Sequence, residues 1–206
     1  MNEVILNLDK LSEDERAQVL RMAEKTKAGK GVSLADVKDG ETFKVGGIEF
    51  IKFPSVDGMT PAVAKDILFT SRFGDSNSLA ESTVLKKLQE ELLPKIIADV
   101  GEESLCTIKA DLTTLDGLKP YADLESLISL PTLDFYRANV KIFDQYKVNK
   151  WWWLATPESA QPHDAPDWVV CVAPSGYVSY FHYSRDSNGV RPFLLFESSI
   201  FESSEK

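Results

Sequence analysis

Cysteine is scarce in this sequence, with Cys106 and Cys171 the only two among 206 residues. Two thiols build no disulfide scaffold, and their apolar settings predict two inert, buried side chains. There are two histidines, with neither a paired-histidine helix motif nor Cys-x-x-Cys, so no metal site is expected. Positive charge is also short: 23 Lys and Arg stand against 32 Asp and Glu, a net charge of −9. That balance argues against direct binding to a nucleic-acid backbone, which needs clustered Lys and Arg. No apolar run approaches the ~20 residues that cross a bilayer, so no membrane span is expected. The first residues, Met1-Asn2-Glu3-Val4-Ile5-Leu6, lack the basic start and cleavage site of a secretory signal, which predicts a cytoplasmic protein. Internal repeats and low-complexity tracts are missing too.

What is present is enough apolar material, 43% of the chain, for one domain with a sizeable core. The expected division is a helical appendage and linker over 1–38, a main domain over 39–200 and a polar tail over 201–206. Ser12 and Glu15 have capping-box spacing for an amphipathic helix over 12–27, which Gly29 and Gly31 end. Thr42–Val45 and Ile48–Phe53 read as a hairpin turned by Gly46-Gly47. Ser78 and Glu81 suggest a second capping box before a helix from Ala80 to Leu93, with Val84, Leu85, Leu88 and Leu92 as its buried stripe. Pro94 predicts a kink or a new short helix as far as Val100, stopped by Gly101. Cys106–Leu112 and Leu127–Leu130 read as extended. Thr132 caps a helix predicted over Leu133–Tyr146, with Tyr136, Val140 and Phe143 on one face.

After Lys150 short strands alternate with turns: Trp151–Thr156, Trp168–Ala173, Tyr177–Tyr183 and Val190–Phe196. The run Trp151-Trp152-Trp153 marks the centre of the fold, because each indole buries a large apolar area. Strand alternation sends Trp151 and Trp153 to one face and Trp152 to the other. Pro174-Ser175-Gly176 is a strong turn. Arg191, before Pro192 and among apolar neighbours, needs a partner: an indole of the tryptophan strand or an acidic side chain. Pro192 offers no N–H to a ladder, so it belongs at an edge or faces away from its neighbour.

Three segments in order, Trp152-Trp153-Leu154-Ala155-Thr156-Pro157, Val172-Ala173-Pro174-Ser175-Gly176-Tyr177-Val178 and Gly189-Val190-Arg191-Pro192-Phe193, resemble a domain of unknown function from Gram-positive bacteria, their phages and mobile elements. That family reads W-W-L-R-S-P-G, V-x-x-x-G-x-V and G-V-R-P-A-L; here Ala155 replaces its Arg and Glu158 its Gly. The resemblance covers about residues 40–200. It implies an α+β, C-type-lectin-like fold similar to the formylglycine-generating enzyme, with two or three helices packed on a twisted antiparallel sheet.

Function is less legible. From Asp75 to Asp134 there are twelve acidic residues against five basic ones, which reads either as a solubilising face or as a surface for a basic partner. Glu90, Glu91, Asp99, Glu102 and Glu103 are its candidate partner-binding residues. Tyr177, Tyr180 and Tyr183, beside the turn at Gly176, are a second set, either interface anchors or cover for the tryptophan core. His163 and His182 with Asp164 or Asp167 offer metal-ligand types, and Cys171 with His182 a nucleophilic pair; the isolated histidines and the apolar flanks of Cys171 speak against both. The expected function is therefore non-enzymatic, without cofactor. It is a protein-binding accessory factor of a phage or mobile element, such as an anti-CRISPR-like inhibitor of host defence that sets its acidic face against a basic nucleic-acid groove. The alternatives are a glycan- or peptide-binding module using the aromatic loops, and a degenerate enzyme of the formylglycine-generating type.

Overall fold

A computed structural model describes residues 33–200 together with Ser12 and Arg16. The Arg16 N–H donates to the Ser12 carbonyl at 2.9 Å, a helical turn where a helix is predicted to begin. The remainder of that helix and the tail 201–206 lie outside the described residues. The elements in order are β1 (Thr42–Val45), β2 (Ile48–Lys52), β3 (Met59–Ala64), β4 (Phe69–Thr70), α1 (Thr83–Lys87), α2 (Leu93–Val100), β5 (Ile108–Ala110), β6 (Leu124–Ser126), β7 (Ile128–Ser129), α3 (Leu133–Ala138), α4 (Val140–Phe143), β8 (Trp152–Pro157), β9 (Trp168–Val172), β10 (Val178–His182), β11 (Gly189–Val190) and β12 (Phe193–Glu197). The fold is mixed α+β.

One five-stranded sheet runs β1-β2-β3-β12-β7 and a second runs β10-β9-β8-β11-β4; β5 and β6 form a separate pair. The β1–β2 hairpin is as the sequence predicts. Gly46 and Gly47 take φ of +58° and +74°, as a turn with two positive φ angles demands. β3 is a strand that no expectation covers; within it Pro61 serves as acceptor, its carbonyl receiving the Phe53 N–H at 2.9 Å.

The closing segment departs most from expectation. Val190–Phe196 is not one strand but two. β11 lies parallel to β8 in the second sheet, and β12 lies between β3 and β7 in the first. Arg191-Pro192 is the step between the sheets. Pro192, lacking an N–H, interrupts pairing there, and its carbonyl accepts from Ala64 N at 3.0 Å.

The central strands of each sheet are buried on both faces. Trp153, Ala155, Val169, Cys171, Phe50 and Leu194 belong to one core cluster, which the α1–α2 layer covers with Val84, Leu85, Leu88 and Ile96. Trp152, Leu154, Val170, Val172, Ile51 and Val63 belong to a second, covered by Leu133, Tyr136 and Phe143 of α3 and α4. Two covered faces explain why β8 and β9 read as continuous apolar runs rather than alternating ones. Trp151 packs on the first cluster, so the tryptophans divide as strand alternation requires.

Three predicted helix details change. The cap of α1 is Ser82, whose Oγ accepts from Leu85 N at 2.9 Å, and not Ser78, because Leu79–Ser82 form a turn first. Leu88–Leu92 form a π-helical turn that carries the chain into α2, with Pro94 in its first turn, and Gly101 closes it. The helix capped by Thr132 breaks at Asn139, whose Nδ2 donates to the Phe135 carbonyl at 2.9 Å. The break shifts the helical phase, so Val140 is exposed while Tyr136 and Phe143 are buried. At the domain ends the core extends beyond Asp39 to Leu34, whose N–H donates to the Ile200 carbonyl at 2.7 Å.

Candidate functional site

The second sheet ends at β10, an edge strand whose five residues, VSYFH, carry no formal Lys, Arg, Asp or Glu charge. Proteins usually guard such an edge with charge, proline or a covering loop. The register sets Tyr180 opposite Val170 and His182 opposite Trp168. Tyr180 is 44% exposed and Trp168 36%, and their rings meet edge to face at 5.9 Å. His182 packs against Trp168 at 5.6 Å. On the opposite face, Phe181 meets Trp151 at 4.8 Å, and the Arg185 guanidinium lies 3.8 Å over Phe181.

Tyr177, at the start of this hairpin, is 66% exposed. Gly176 before it has φ of +88°, and its carbonyl accepts from the Tyr136 hydroxyl at 3.0 Å, which fixes the turn on α3. Tyr183 does not project with the other two. It is half-buried, packs on the first core cluster and meets the His182 ring in a tilted contact at 4.2 Å. Trp168 completes the exposed aromatic group; its place directly after Pro166-Asp167, at a strand start, was the available signal.

The acidic residues lie on the outside of the α1–α2 layer. Glu90 and Glu91 occupy the π-helical turn, Asp99 lies in α2, and Glu102 and Glu103 form the 3-10 turn after it; all five are exposed. Lysines interrupt them: Lys86 stands 4.0 Å from Glu90, and Lys95 is exposed in α2. Asp99 also has a structural task, accepting from Gly46 N at 2.7 Å.

The candidate residues for chemistry are not brought together. Cys171 pairs across the ladder with Ser179 and His182 with Trp168, three positions apart on β9, which puts thiol and imidazole on opposite faces. Burial pushes the Cys171 thiol up to about 12. Burial and the hydrogen bond to Glu197 push Cys106 up to about 11. Cys171, fully buried, is therefore expected to resist an aromatic disulfide reagent at pH 8 in the native chain, reacting roughly 10²-fold or more slower than in denaturant, while Cys106 is half-buried and less shielded. Rapid labelling of native Cys171, read by absorbance and mass spectrometry, would contradict its placement.

His163 is engaged by Asp116, to which no motif in the sequence points. Asp116 Oδ2 accepts from His163 Nδ1 at 2.8 Å and from Ser159 Oγ at 2.7 Å, and its Oδ1 accepts from Thr114 Oγ1. These bonds join the 114–118 turn to the 158–167 loop across more than forty residues, which no local spacing announces. Ser159 donates to the carboxylate rather than to the imidazole, so His163 does not serve it as a base. The hydrogen bonds from Thr114, Ser159 and His163 hold the Asp116 pKa well below the carboxylate range. A depressed native pKa gives stability that is present above the unfolded carboxylate pKa and lost as pH falls through the native one. The melting temperature of Asp116→Asn is thus expected to fall furthest below wild type at neutral pH, with the gap narrowing below about pH 4. Glu158 nearby acts in the opposite sense. Burial, then Asp164 and Asp116, raise its pKa, so its own contribution improves as pH falls. Among the described residues no group of three or more His, Cys, Asp or Glu could hold a metal ion, and no helix is long and apolar enough to cross a membrane.

No protein family, curated protein or solved structure matches this chain.

Proposed function

We propose that the chain is a non-enzymatic protein-binding module whose partner lays an extended segment along β10. The observation that carries this reading is an uncharged sheet edge flanked by the exposed rings of Tyr180 and Trp168. An unpaired strand offers main-chain donors and acceptors, and adjacent aromatic rings supply anchors for alternate side chains. The net charge of −9 favours a segment rich in Lys and Arg by steering its approach. The W-W-L and G-V-R-P segments support the setting: a phage or mobile-element accessory factor of C-type-lectin-like build, working in the bacterial cytoplasm.

A displayed library of random peptides tests it. Selected peptides are expected to bind Tyr180→Ala and Trp168→Ala at least ~10-fold more weakly, each compared at a temperature where the variant is fully folded, since truncating an anchor ring commonly costs more than 1.4 kcal/mol. Peptides that bind both variants as well as wild type would place recognition elsewhere.

The exposed carboxylates at Glu90, Glu91, Asp99, Glu102 and Glu103 favour a second reading, in which the chain occupies the basic groove of a nucleic-acid-binding protein. Here the bound partner would be displaced by oligonucleotide, and Glu90→Lys with Glu91→Lys and Glu102→Lys would abolish capture while Tyr180→Ala would not. Glycan binding that survives high salt would instead favour a lectin-like module.

A further inference from the structure

The ladder between β9 and β10 decides which main-chain groups of the edge strand are already spent. Ala173 N donates to the Tyr177 carbonyl at 2.8 Å, and Tyr183 N donates to the Asp167 carbonyl at 2.8 Å. Between these bonds the register is continuous, from Val178 opposite Val172 to His182 opposite Trp168. Bonded and open pairs alternate along an antiparallel ladder. Tyr177, Ser179, Phe181 and Tyr183 therefore bond β9, and Val178, Tyr180 and His182 turn their N–H groups outward. The Val178 and Tyr180 carbonyls turn outward with them, while the His182 carbonyl accepts from Arg185 N at 3.0 Å. No strand lies on that side of β10 among the described residues.

A strand added there would send its side chains alternately to the two faces of the sheet. One face holds Tyr180 and Trp168. The other holds Phe181, with the Arg185 guanidinium 3.8 Å over its ring. Arg185 is exposed, and its Nε donates to Ser187 Oγ at 3.1 Å. It forms no ion pair among the described residues: neither Asp186, next in the chain, nor Asp167, across the ladder from Tyr183, stands within ion-pair distance. In a chain where 32 acidic residues face 23 basic ones, this cation is held beside an open sheet edge without a carboxylate. A residue opposite Phe181 on an added strand would have its Cβ about 5 Å from that of Phe181, so an Asp or Glu there reaches the guanidinium fork.

We propose that the segment received by β10 carries an Asp or Glu opposite Phe181, bound by Arg185, between Lys or Arg residues that lie on the Tyr180–Trp168 face. The basic positions meet exposed aromatic rings and suit the net charge of −9. The partner is thus a segment of alternating charge, not a uniformly basic one. This rests on strand addition at β10 and adds a requirement that net charge alone does not predict.

The test selects nonamers from a random displayed library on the full chain and remakes them acetylated and amidated, so that their ends carry no charge. Binders are expected to share an Asp or Glu with Lys or Arg on either side. Affinity is read by fluorescence anisotropy at a temperature where each variant is fully folded. Arg185→Gln, which keeps a stem over Phe181 and removes the charge, is expected to weaken binding at least ~10-fold. Replacing the peptide's acidic residue by its amide should weaken wild-type binding equally, and that of Arg185→Gln by less than about 2-fold. Arg185→Glu should recover affinity for a peptide with Lys at the acidic position. Amide exchange in the complex should slow at Val178, Tyr180 and His182. Protection of those amides with Arg185→Gln binding as tightly as wild type would overturn the acidic position and leave strand addition standing. Peptides that leave the β10 amides unprotected, or a library that yields no binder, would overturn both.

Discussion

Trp153→Ala is expected to destabilise the protein by about 3–5 kcal/mol, the range for removing a buried aromatic ring. Trp153 is fully buried in the cluster under α1 and α2. Its ring meets Phe73 edge to face at 5.6 Å, and its Nε1 donates to the Ser71 carbonyl at 2.9 Å. The substitution therefore opens a cavity, removes a T-shaped ring pair and takes a donor from a loop carbonyl. For a chain of this size the loss corresponds to a fall of roughly 6–20 °C in melting temperature. Trp153→Phe keeps most of the ring volume without the N–H, so it is expected to lose appreciably less. Trp151→Ala, at a half-buried position, is the comparison that separates this core role from tryptophan content as such. Calorimetry or urea titration decides it; equal losses for Trp151→Ala and Trp153→Ala would contradict the deeper burial of Trp153.

Trp152→Ala is expected to cost a similar ~3–5 kcal/mol for a different reason. Trp152 is 2% exposed, stacks with Phe143 at 5.7 Å and backs the Arg191 guanidinium at 4.9 Å. Truncating it leaves the buried cation without that aromatic face. Arg191→Met tests the pair from the other side. A buried charge without a close carboxylate is replaceable by an apolar chain of similar length at little cost, or even with a gain. In the Arg191→Met background the penalty of Trp152→Ala should then shrink by about 1–2 kcal/mol, the worth of a desolvated cation–π contact. Strict additivity in the double-mutant cycle would show that ring and guanidinium are neighbours without coupling.

The sequence was informative wherever a local rule had no competitor. Gly46-Gly47 dictates its hairpin turn, Thr132 caps its helix, and three adjacent indoles on a strand must divide between two faces. The requirement for an aromatic or acidic partner at Arg191 follows from its apolar neighbours, and Trp152 supplies it. Local rules failed where tertiary pairing decided. The Val190–Phe196 run has the composition of a single strand, and nothing local says that Pro192 moves it from one sheet to another. Pro61 counts against a strand until Phe53 and β12 are seen to pair around it. Ser78 and Ser82 can both start a helix, and the turn at Leu79 chooses between them. At the candidate sites, alternation alone sends Tyr180 away from Phe181. The exposure of Trp168, the withdrawal of Tyr183 and the capture of His163 by Asp116 each depend on residues distant along the chain.

Amide hydrogen exchange with and without a library-selected peptide tests most directly where this protein meets its partner. On peptide binding, the β10 amides should slow at least ~10-fold, while those of α1 and α2 stay unchanged. Protection that instead covers α1 and α2 and leaves β10 exchanging at its free rate would contradict the account.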